Sequence, residues 1–225
     1  MRGLVPALLA AALAACSRGE AEGPACPHEG TPDRASVVAV RHTPLQAVLR
    51  RDLSLPEISA LGEGVGAGRL QGLTVVDHSF ERKWTRTITS SRKPGRMCVW
   101  LTKFVVDLTP ARAEVFVPRE YPDGSCEEAE VARHEREHEE AHRVSLAEFS
   151  ERLSRDFAAA DWLPVAGAPL EVADEAEADR RLDAAFEKVY QPARAAFMES
   201  LGKRNAVLDL PENYRWVTSR CRGWK

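Results

Sequence analysis

The sequence predicts an α+β fold: an antiparallel β-meander, then one long helix, then a C-terminal helical segment. Three observations carry this. Between residues 70 and 117, β-branched and aromatic residues gather in short runs. From about Cys126 to about Ala160 the chain contains neither Gly nor Pro. Beyond residue 173, Leu182, Phe186, Val189, Ala193, Phe197 and Leu201 recur at three- and four-residue steps.

Residues 1–15, "MRGLVPALLAAALAA", have one basic residue, an apolar run too short to span a bilayer, and small residues at the end, which is the layout of a secretory signal. "LAAC", Leu13 to Cys16, resembles the lipobox of bacterial lipoproteins, with Cys16 as the lipidated first residue of the mature chain. Residues 16–34 are rich in Gly, Pro and charge and read as a tether. Ser17, not an aspartate, follows Cys16, which favours an outer-membrane anchor facing the periplasm in a Gram-negative source. The lipid is then the only membrane attachment.

Residues 35–160 are expected to form the α+β core. "ASVVAV" (35–40) reads as a strand and "TPLQAVLRRDLS" (43–54) as a helix start with Pro in its first turn. "LTVVDHSF", "KWTRTITS", "MCVWLTKFVVDL" and "AEVFV" make the meander, with "KPGR" as the turn between the second and third strands. "PREYPDGSC" breaks the strand pattern and leads to Ser125, a good N-cap with Glu128 in capping-box position. Residues 161–225 form the helical extension packed on the core, with Pro192 as a kink or a new first turn.

A net charge of −3 on 225 residues gives no electrostatic footprint for nucleic acid. Four cysteines remain after Cys16, an even number in an oxidising compartment, so two disulfides are expected. Of the three pairings, Cys98 with Cys126 and Cys26 with Cys221 are favoured, one tying a strand to the long helix and one joining the two ends.

"RHEREHEEAH" (133–142) carries the chemistry. On a helix Val131, His138, His142, Leu146, Phe149 and Leu153 share one stripe, with His134 beside it, so the histidines face the core. His134-Glu135-Arg136-Glu137-His138 is an HExxH. Imidazoles at i and i+4 stack one above the other and can converge on one Zn²⁺, while the glutamate at i+1 can take a proton from water that the metal has acidified.

Strand, short loop and HExxH helix resemble the zincin arrangement, in which the edge strand above the metal holds an extended peptide. The run from about Leu70 to about Leu153 looks like the predicted secreted zinc-dependent proteases of the DUF922 type. That resemblance implies a zincin-like fold, with His134 and His138 as ligands and Glu135 as base of a peptidase acting in the bacterial envelope. The alternative is a non-catalytic envelope lipoprotein using the same fold for binding or assembly.

The third ligand stays open among Glu175, Asp179, Glu187, His78 and Asp209. His142 fits less well, since on a straight helix its Cα lies about 12 Å along the axis from that of His134. His142, Arg119, Tyr121 and Tyr214 are candidates for stabilising the transition state.

Overall fold

A computed structural model describes residues 25–26, 37–62, 71–165 and 167–224. The expected signal, the lipidated Cys16 and most of the tether lie outside these residues. The elements are β1 (Val37–His42), β2 (Val48–Arg50), α1 (Leu55–Leu61), β3 (Leu73–Ser90), β4 (Met97–Phe116), α2 (Cys126–Ala158), β5 (Leu170–Val172), α3 (Glu175–Leu208) and α4 (Pro211–Ser219).

The antiparallel meander is not what forms. The five-stranded sheet is mixed, with β1 and β2 parallel to β4 and only β3 and β5 antiparallel to it. β4 is the spine. One of its edges pairs with β3 along its whole length, while β5 at Met97–Val99, β1 at Lys103–Leu108 and β2 at Glu114–Phe116 dock in series on the other.

The four expected strands are therefore two. Glu81-Arg82, between the first pair, carries no turn chemistry, and β3 runs straight through it. Pro110, between the second pair, is absorbed by a bulge where the register shifts between Asp77 and His78, leaving Ala111 unpaired. "KPGR" does turn the chain, with Gly95 at φ +69°. "AEVFV" lies between β3 and β2 and so is not the edge strand that the zincin comparison requires. The helix expected at 43–54 is also replaced, because Val48–Arg50 gain a parallel partner in β4 and helix begins only at Leu55, behind the Ser54 and Glu57 capping box.

α2 begins where Ser125 accepts from Glu128 N–H, while the Glu128 carboxylate pairs with Arg51. Its apolar stripe lies on β1, β3 and β4, and α3 packs alongside. One core takes Phe104, Val106 and Leu108 from the sheet, Leu146, Phe149, Leu153 and Phe157 from α2, and Leu182, Phe186, Tyr190 and Phe197 from α3. α3 is continuous through Pro192.

Two disulfides form, with pairings other than those expected: Cys26–Cys98 and Cys126–Cys221. The first staples the segment before β1 to the start of β4. The second fastens the end of α4 to the first residue of α2, which fixes the chain that follows α3 over the histidine helix.

Candidate metal site

His134, Glu135 and His138 lie on the inner face of α2 and are all buried. Across from them, α3 ends at Asp209, its C-cap. Asp209 Oδ1 stands 3.1 Å from His138 Nε2 and 3.8 Å from His134 Nε2. One ligand atom from each of the three residues lies within 4.8 Å of the other two, so this group could bind a metal ion.

The donor set fits such an ion. His134 Nε2 is buried and has no hydrogen-bond partner, an arrangement that costs about 1–3 kcal/mol unless something binds there. His138 Nδ1 faces Asn205 Oδ1 at 3.1 Å, so with Nδ1–H donating, Nε2 is left to face the cluster. A carboxylate at a helix C-terminus meets the negative end of the helix dipole, so Asp209 needs a cation nearby.

Without an ion, protons fill that role. Burial by itself would lower the His138 imidazole, but the contacts with Asp209, Glu135 and Asn205 outweigh it and raise its pKa to about 8. Burial would raise Asp209, yet the two imidazoles hold its carboxyl well below the usual range. Burial pushes Glu135 up, against the pull of His138 and His134.

Glu135 is held by its neighbours in β3. Thr74 Oγ1 donates to Glu135 Oε2 at 2.9 Å and lies 2.8 Å from the Glu135 carbonyl oxygen. Gly72 makes this approach possible: a Cβ there would fall 2.6 Å from Val131 Cγ1 and 2.8 Å from Glu135 Oε1. A cavity of about 70 Å³ opens among Gly72, Thr74, Glu135, His138, Asp209 and Tyr214.

Of the possible third ligands, only Asp209 reaches the histidines. Glu175 and Asp179 pair with Arg86, and Glu187 lies 3.4 Å from Arg82, as part of an ion-pair ladder between β3 and α3. His78 Nε2 lies 3.3 Å from His142 Nδ1. His142 borders the cavity, and burial, with His78 and His138 nearby, lowers its pKa to about 4.

Two of the candidate stabilisers come to the site, His142 at the cavity wall and Tyr214, whose hydroxyl donates to Asp209 Oδ1 at 2.8 Å. Arg119 instead lies 3.6 Å from Glu57, and Tyr121 packs on Trp224. Sequence reasoning missed Gly72, Thr74 and Asn205. Asn205 carried a readable signal, since it precedes Asp209 by one helical turn and so shares its face.

No family model matches the chain, and no curated protein or solved structure matches it. Fold and site together define an α+β protein with a His-His-Asp group, its two histidines buried, able to hold a metal ion.

Proposed function

We propose that the protein is a zinc-dependent peptidase of the bacterial envelope, lipid-anchored through Cys16, with His134, His138 and Asp209 as metal ligands and Glu135 as general base. Two imidazoles and a carboxylate suit zinc, and three protein ligands are the usual complement of a catalytic rather than a structural site. When bound, the metal would polarise a peptide carbonyl and acidify water.

The observation that carries the reading is the convergence of the orphaned His134 Nε2, a His138 ring nitrogen and an Asp209 oxygen to within 4.8 Å of one another, beside a cavity that His138, Asp209 and Glu135 line. Thr74 holds one Glu135 oxygen, and burial raises the carboxyl pKa, which matches it to taking a proton from water and passing it to a leaving amine. Asn205 sets the His138 ring. Tyr214 orients Asp209 with its single O–H, and burial and the Asp209 contact raise its pKa, so it stays protonated and keeps that bond.

The test is zinc content and peptide hydrolysis in parallel. Wild type should hold one zinc per chain, and His134→Ala and Asp209→Ala should hold almost none. Glu135→Gln should keep zinc and lose about 10²–10⁴-fold in hydrolysis. Zinc retained by His134→Ala would sink the ligand assignment, and full activity in Glu135→Gln would sink the mechanism. Tightly held zinc with no hydrolysis in wild type would leave a binding or assembly role.

A further inference from the structure

Beside the metal cavity lies a second one, of about 280 Å³, walled by Phe80 and Leu108 from the sheet, Leu146 and Phe149 from α2, and Tyr190 and Phe197 from α3. The two meet at a pair of histidines. His142 borders the metal side, His78 borders the apolar side, and their rings stack with centroids 5.5 Å apart.

The cavity exists because β3 and α3 part at this level. Further along β3, Arg82 and Arg86 clamp the strand to Asp183, Glu187, Glu175 and Asp179 on α3. Towards the start of β3 no such pair joins the two among the described residues, and a gap opens between Val76–Phe80 and Tyr190–Met198. Its mouth exposes apolar surface to water: Phe80 is 44% exposed and Met198 52%. Asp77 and Arg194 are the charged lining residues, one of each sign, so the cavity favours neither an anion nor a cation.

Order along the strand ties this cavity to the chemistry. Thr74, His78 and Phe80 point to the helix-facing side of β3, Thr74 at Glu135, His78 at His142 and Phe80 at Tyr190. Thr74 and His78 are about 13 Å apart along an extended chain, which matches the span of a few peptide residues.

We propose that this cavity is the specificity subsite: it takes one large apolar side chain, aromatic or branched aliphatic, of a peptide whose scissile bond lies one to three residues away at the His134, His138 and Asp209 site. The proposal rests on the peptidase reading and adds its substrate class.

Burying a side chain of Phe or Leu size gives a preference of about 10- to 100-fold over Ala. The experiment uses a peptide set identical but for one position, carrying Phe, Leu, Ala, Asp or Lys. Cleavage is followed by mass spectrometry with the zinc-loaded wild type, and binding with zinc-loaded Glu135→Gln. Phe80→Asp and Met198→Asp are then introduced separately into both, at rim positions 44% and 52% exposed, with a thermal melt to check that each variant folds. The expected result is at least a tenfold Phe-over-Ala preference in cleavage and in binding, falling below threefold in either rim variant. Cleavage without residue preference, or a preference that survives both rim variants, overturns the subsite while leaving the peptidase reading standing. No cleavage, together with an apolar binding preference that both rim variants abolish, supports the cavity as a binding site and sinks hydrolysis. Neither cleavage nor preferential binding overturns both.

Discussion

Replacing Gly72 with Ala tests how Glu135, the proposed general base, is positioned. The added methyl would fall 2.6 Å from Val131 Cγ1, 2.8 Å from Glu135 Oε1 and 2.9 Å from Glu135 Cγ, all shorter than van der Waals contact. Val131 is 1% exposed and packs in a cluster with Val115, Val117 and Ala132, so it has little room to move. Glu135 must yield, and its carboxylate then leaves the Thr74 hydroxyl. Overpacking of this kind costs about 1–3 kcal/mol. Stiffening the unfolded chain offsets about 0.4–1 kcal/mol, leaving a net loss of about 1–2 kcal/mol and a Tm lower by about 2–8 °C. A carboxylate displaced by about 1 Å should lower kcat/KM by about 100-fold. Zinc affinity should stay within threefold, because the atoms nearest the methyl belong to Val131 and Glu135 and not to His134 or His138. Thermal unfolding, zinc titration and peptide hydrolysis read the three effects separately. Wild-type Tm together with wild-type hydrolysis would refute the argument. So would loss of zinc in step with activity, which would mean that α2 had been disrupted rather than the base displaced.

Zinc affinity should fall about tenfold for each pH unit below about 8, because a proton on His138 competes with the metal. Without metal the sign reverses: the raised His138 pKa stabilises the fold fully below 6.5, and up to about 2 kcal/mol is lost as pH rises through about 8. Urea unfolding at pH 6 and pH 9, with and without zinc, checks both directions. Removing Cys126–Cys221 as a double Ser variant should cost about 4–5 kcal/mol for its 95-residue separation and lower zinc affinity at least tenfold, since α4 and Asp209 lose their tether to α2. Removing Cys26–Cys98, separated by 72 residues at the far end of the β3–β4 hairpin, should cost about 4 kcal/mol and leave zinc affinity within twofold. Unfolding curves and zinc titrations of the two double variants make that comparison.

Much of the site was legible where it depends on one helix. His134, Glu135 and His138 are set by a local period, and the stripe that includes Leu146, Phe149 and Leu153 pointed them inward before any partner was known. The N-cap at Ser125 and the turn at Gly95 are equally local. The sheet was less legible. Alternation shows that a segment is a strand but not which strand it joins, so two long strands looked like four short ones and the parallel docking of β1 and β2 on β4 went unseen.

What the sequence determined by itself is the half of the site carried on α2, because residues four apart on a helix are neighbours wherever the helix goes. What only the tertiary structure decided is everything that meets it from a distance: Asp209 beside the two histidines, Gly72 and Thr74 behind Glu135, Asn205 behind His138, and the cysteine pairings. Glu175, Asp179 and Glu187 have the same chemistry as Asp209, and nothing local separates them. They are drawn to Arg82 and Arg86 along the sheet, while the end of α3, with α4 tied down by Cys126–Cys221, brings Asp209 to the histidines.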